Sequence, residues 1–163
     1  MKIKALILLS ILLVSCGAKP QASFEGETTL KVALVKLNDN GASGEAIGCG
    51  DSIVYIDKTA DGIKLENTRK VQLALTELFA YGKTAVTDDY YNGLQHSKDL
   101  AVYSVNESIT EVRLTGQLIS AGTCDDPRMK EQIYSTIRAN SNPNGEITVL
   151  INDENIEDYM SQK

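Results

Sequence analysis

The stretch Leu100–Asn140, LAVYSVNESITEVRLTGQLISAGTCDDPRMKEQIYSTIRAN, decides the fold. Its first run, Ala101–Val105, and its second, Ile109–Leu114, are rich in Val, Ile and Tyr and flank Asn106-Glu107-Ser108, which predicts a β-hairpin. In the second run Ile109, Glu111 and Arg113 share one face, with Thr110, Val112 and Leu114 on the other, so one face is wet and one buried. Gly122 and Cys124 lead into Asp125-Asp126-Pro127. An Asp there accepts from free backbone N–H groups and Pro pre-sets φ, which starts a helix. From Pro127 to Ala139 the spacing puts Met129, Ile133 and Ile137 on the apolar face, extended by Tyr134. Lys130, Glu131, Gln132 and Arg138 fall outside that face. Asn142-Pro143-Asn144-Gly145 breaks the helix, Ile147–Ile151 returns as a buried strand, and the acidic tail from Asn152 reads as frayed.

Upstream, Leu30–Leu37 alternates as a first strand and Ser52–Asp57 as a second, with Asp61-Gly62 as a turn. Between them, Asn38–Gly44 is rich in turn residues. Asp39, Asn40 and Glu45 supply oxygens in that loop but lack calcium-loop spacing, so a plain loop is the reading. Asn67 is placed to cap a helix from Thr68 to Tyr81, with Val71, Ala74, Leu75 and Leu78 at three- and four-residue steps and Gly82 at the left-handed C-terminal cap. Lys83–Lys98 shows no clear period. It carries Tyr90, Tyr91, Asn92 and His96, aromatic area with hydrogen-bonding tips, and is the candidate contact surface together with the Gly48–Asp51 turn.

Of the chain's 163 residues, 42% are hydrophobic and 23% charged, which fits one globular domain after removal of a targeting segment. The net charge of -6 gives no electrostatic reason to hold nucleic acid. A single histidine, His96, removes the usual zinc constellations, and no cofactor or metal is expected. At the N-terminus a basic Met1–Lys4, an aliphatic Ala5–Val14 and a closing Ser15-Cys16-Gly17 form a secretory signal by layout. The apolar run is shorter than the roughly 20 residues of a permanent span. Leu13-Val14-Ser15-Cys16 resembles the bacterial lipobox, which implies a Cys16 that is diacylated and becomes the mature N-terminus. Acyl chains then anchor the protein to a membrane, at roughly 0.8 kcal/mol per buried methylene. Gly17 in place of a retention Asp implies the outer membrane where the cell has one.

Residues 1–15 are thus read as signal peptide, 16–29 as lipid-anchored tether, 30–152 as the folded domain and 153–163 as acidic tail. With Cys16 acylated, Cys49 and Cys124 are the remaining thiols. Export permits their oxidation and each sits in a glycine-flanked turn at an element end, so a disulfide between them is expected.

The order strand, strand, helix, hairpin, helix, strand gives a single α+β domain, a mixed sheet with two helices packed on one face. The chain resembles the GerM-type domain of bacterial envelope lipoproteins at Val71–Phe79, like that family's first helix, and at Val112-Arg113-Leu114-Thr115-Gly116 leading to the second. Asp126-Pro127-Arg128 and Gln132–Ile137 then open a helix followed by an aliphatic strand, as in the family. One domain copy and the paired cysteines depart from the sporulation members. The resemblance implies an extracytoplasmic, non-catalytic module of envelope assembly or peptidoglycan-associated complexes.

Chemistry is sparse. Asp125-Asp126 read as caps, Asp88-Asp89 beside Tyr90-Tyr91 as a solvated loop, and His96, Ser97 and Asp99 as triad residue types without a nucleophile elbow. Arg113 and Arg128 read as partners of local acids. The alternative function is an envelope glycan hydrolase using carboxylates such as Asp51 or Asp125, which needs two acids facing each other across a cleft.

Overall fold

Alternating and β-branched residues in Glu27–Lys36 (β1) pair antiparallel with Asp51–Asp61 (β3) without a break in register. In this computed structural model, which describes residues 26–61, 65–82 and 90–161, the short β2 (Glu45–Ile47) adds to the far side of β3 and completes a three-stranded sheet, β1-β3-β2. The turn between β1 and β2 requires glycine at one point. A Cβ on Gly44 would stand 1.9 Å from the Ile53 carbonyl oxygen. After β3 come α1 (Asn67–Ala80), β4 (Lys98–Val105), β5 (Glu111–Gln117), α2 (Asp125–Ala139), β6 (Thr148–Ile151), β7 (Glu154–Asn155) and α3 (Ile156–Ser161).

The class is α+β, and the main elements follow the expected order. The strands divide between two sheets, because among these strands β1 and β3 pair only with each other and β2, while β4-β5-β6-β7 form a mixed sheet. There β5 and β6 run parallel, joined by α2 as a βαβ crossover. Helix α1 touches both β1 and β4 and so joins the sheets, whereas α2 runs beside β1 and α1. Val71, Ala74, Leu75 and Leu78 of α1 and Met129, Ile133 and Ile137 of α2 are all buried. All of these but Ala74 pack in one core with Val32, Leu34, Val112, Leu114, Val149 and Ile151. Each such side chain stabilises the fold by roughly 1.5–3 kcal/mol relative to exposure.

Several local expectations change. β1 starts at Glu27, so the last residues assigned to the tether belong to the sheet. β3 runs on through Asp61, where a turn was expected, and Gly62 lies outside the described residues. Asn67 is the first residue of α1 and no side chain caps that end, but Gly82 does take a left-handed φ of 78°. Ile109 is not in the strand. It sits in the hairpin turn at φ 57° and is buried, because Asn106 Oδ1 accepts from the Thr110 and Glu111 N–H groups and folds the turn over it. A turn that long reverses the phase for Ile109 alone, and Val112 and Leu114 keep the inward face. The tail from Asn152 is not frayed. It makes β7 and α3, fastened by a fully buried Ile156. The signal segment, Cys16, Lys83 and Asp88-Asp89 lie outside the described residues.

Candidate functional site

Helix α2 carries two polar systems that reach sequence-distant segments. The first is built on spacing. Gln132, Thr136 and Asn140 follow each other at four-residue steps beside the apolar row Met129, Ile133 and Ile137, so they share its inward side. All three are buried. They face the outer edge of β1, where Lys31, Ala33 and Val35 turn their backbone groups away from β3. Asn140 accepts from the Lys31 N–H at 2.9 Å and donates to its carbonyl at 2.6 Å. Thr136 accepts from the Ala33 N–H at 3.1 Å and Gln132 donates to the Ala33 carbonyl at 3.1 Å. Val35 exchanges both backbone bonds with Tyr91, at 2.9 and 2.8 Å. An edge that would otherwise template strand addition is thereby closed.

Gln132 was expected outside the apolar face and is instead fully buried, because its amide serves Ala33, Gly93 and Asn92 together. Asn92 is likewise no contact residue. It is 2% exposed, donates to the Leu78 and Tyr81 carbonyls at the end of α1, and accepts from the Leu94 N–H. Sequence reading missed this system. Its signal is the row of three hydrogen-bonding side chains at i, i+4 and i+8.

The second system is charged. Asp51 opens β3, Arg128 lies in the first turns of α2, Asp125 starts that helix and Tyr91 comes from the segment after α1. Arg128 Nε is 2.7 Å from Asp51 Oδ2 and Nη1 is 3.1 Å from Asp125 Oδ1. The Tyr91 hydroxyl donates to Asp125 Oδ1 at 2.9 Å, and the guanidinium lies 5.2 Å from the centre of the Tyr91 ring. The remaining carboxylate oxygens accept from backbone, Asp51 from the Asn38 N–H and Asp125 from the Ala121 N–H. Asp125 therefore ties the preceding turn rather than capping α2 from outside. Burial pulls the Arg128 pKa down, but hydrogen bonds to Asp51 and Asp125 outweigh it and leave it above the ordinary arginine value. Burial, then the bond to Asp125, pushes the Tyr91 hydroxyl up.

Beside this knot Cys49, at φ 65°, is joined to Cys124 by a disulfide spanning a sequence separation of 75. Such a loop closure contributes at most about 4 to 5 kcal/mol by the chain-entropy account. Three segments of the chain thus meet in one place, the Gly48–Asp51 turn, the Gly122–Arg128 start of α2 and Tyr91. Comparison with models of protein families, with curated proteins and with solved structures finds no match.

The remaining candidates scatter. Tyr90 and Tyr91 are half-buried, Tyr90 with Lys36 over its ring, and His96 is exposed. Ser97 is buried and its hydroxyl accepts from the Ile119 N–H, so it is not presented to His96 as a nucleophile. Asp39 accepts from Ser43 and Ser52, and the Ser52 bond above all holds its pKa below the usual carboxylate value. Arg113 is fastened to Glu111 and Asp153. Among the described residues no three His, Cys, Asp or Glu side chains are grouped to hold a metal.

Proposed function

We propose that this chain is a lipid-anchored, non-catalytic binding or scaffold module of the bacterial cell envelope, built on a GerM-type domain and associated with an envelope protein or with peptidoglycan. The observation that carries the reading is the Cys49–Cys124 pair. Disulfides persist outside the reducing cytosol, so the bond supports an exported domain and agrees with the lipobox-like Leu13-Val14-Ser15-Cys16. The residues on which the GerM-type resemblance rests lie on the β5–α2–β6 crossover, where α2 opens on Asp125-Asp126-Pro127-Arg128 and leads to an aliphatic strand. Its Gly116 has a local reason. At φ 111° a Cβ there would stand 2.5 Å from the Asp99 carbonyl oxygen. The same guanidinium bonds Asp51 and Asp125, which speaks for the binding reading over the hydrolase, where the space between two acids must admit a glycan.

Metabolic labelling with a fatty acid tests the anchor. The protein should carry label and sediment with membranes, and Cys16→Ser should abolish both. A Cys16→Ser chain that is still processed, labelled and membrane-bound defeats the anchor. Turnover of purified peptidoglycan, lost on changing one acidic residue, defeats the non-catalytic reading.

A further inference from the structure

The strand edges of this domain are treated unequally. β1 is closed by α2 and Tyr91. β4 is broken by register shifts at Lys98/Ala101 and Val102/Ser104, and bulges of this kind block added strands. β3 has neither device along its second half. Because Lys31, Ala33 and Val35 point away from β3, the pairs Val32↔Ile56 and Leu34↔Val54 carry the β1–β3 bonds. Tyr55, Asp57 and Thr59 therefore aim their backbone groups at the opposite edge. β2 covers Ile53 and Asp51 there and then ends at Glu45. Among the described residues no group bonds the backbone of Tyr55, Asp57 or Thr59.

We infer that this edge accepts an extended, basic peptide as an antiparallel strand continuing from β2. It rests on the reading of the chain as a binding module and names the surface and the partner's chemistry. The side chains of Tyr55, Asp57, Thr59 and Asp61 alternate with those of the opposite face and line one side of the strand. Tyr55 is 44% exposed, and Glu45 and Glu27 stand on the same side of the sheet. Among the described residues the cations on that side are Lys31, engaged with Asp57, and Arg128 at the far end, engaged with Asp51 and Asp125, while Lys58 lies on the other side over the Tyr81 ring. The surface is net acidic, with an aromatic face suited to a cation. A strand with lysine or arginine opposite Asp57 and Asp61 gains cross-strand pairing on top of the backbone bonds. A second copy fits poorly, since antiparallel self-pairing centred on Asp57 sets that carboxylate against its own image.

Amide exchange on the isotope-labelled full chain in detergent micelles tests this, with a blocked peptide alternating lysine and threonine as the probe. With the peptide at about ten times its Kd, exchange at Tyr55, Asp57 and Thr59 should slow about tenfold, while Val54, Ile56 and Lys58 stay as they were. That alternation separates strand addition from loose charge attraction. Thr59→Pro, at a position whose N–H is not used by β1, should keep the fold and remove the protection. A glutamate–threonine peptide should give none. Protection without alternation, equal protection by both peptides, or odd-numbered amides already protected in the free chain would each overturn the proposal. Peptidoglycan turnover would overturn the non-catalytic reading and leave this exchange pattern untouched, so the two failures are distinguishable.

Discussion

The two polar systems of α2 solve different problems with different chemistry. Gln132, Thr136 and Asn140 are neutral, and they bond almost wholly to backbone. Asp51, Arg128, Asp125 and Tyr91 bond to each other and carry formal charge into a site where Asp51 is 0% and Asp125 3% exposed. The neutral row substitutes for a missing neighbouring strand. The charged knot instead fastens loops whose backbone has no ladder to join. One consequence is asymmetric fragility. Losing a side chain of the neutral row leaves uncharged backbone groups dry, whereas losing Arg128 leaves two carboxylates buried without a counter-charge.

Breaking the knot at its cation should therefore have the largest effect. Arg128→Ala is expected to cost about 3 to 5 kcal/mol in urea unfolding. A loss below about 1 kcal/mol, the range of exposed pairs, would show that the acids are screened by water and that the contrast is false. Next, Gln132→Ala removes the partner of the Ala33 carbonyl and the Gly93 N–H, and should cost roughly 1 to 3 kcal/mol by the same measurement. An effect equal to that of Arg128→Ala would erase the distinction between the systems.

The smallest change sharpens the comparison through pH. In the fold the Tyr91 pKa is raised above its ordinary 10.0, so the neutral hydroxyl is the form the fold favours. That contribution is fully present below pH 10 and is lost as pH rises through the folded value. Tyr91→Phe should cost about 0.5–1.5 kcal/mol at neutral pH, and the gap to the wild type should narrow above pH 10 in parallel thermal scans. A gap that widens there would reverse the assignment of the Tyr91 proton.

How much of this was legible follows from which physics is local. Apolar spacing marked both long helices and the buried strands, because Val71, Leu75, Ile133 and Val149 need only their own neighbours to reveal a period. The Cys49–Cys124 pairing was legible by elimination and compartment. Gln132 was misplaced because composition marks it as polar, and only the unpaired Lys31 and Ala33 groups on the far side of the fold explain its burial. Asn92 failed for the same reason. A side chain that serves the backbone of Leu78 and Tyr81 looks, in sequence, like one meant for solvent. Tyr91 was seen as recognition surface, and its bridge to Val35 arises from a contact no local pattern encodes. The split into two sheets was invisible because strand order is a property of pairing.

The closing of β1 by α2 also fixes an order of events. The bonds from Asn140, Thr136 and Gln132 to β1 span sequence separations of 109, 103 and 99 residues. Contacts this distant form late, since the intervening chain must be brought together first. The β1–β3 hairpin can assemble as soon as Asp61 is available, yet it remains sticky until α2 arrives. The period of greatest aggregation risk thus falls before α2 docks, and a chain truncated ahead of Asp125 would be left permanently in it.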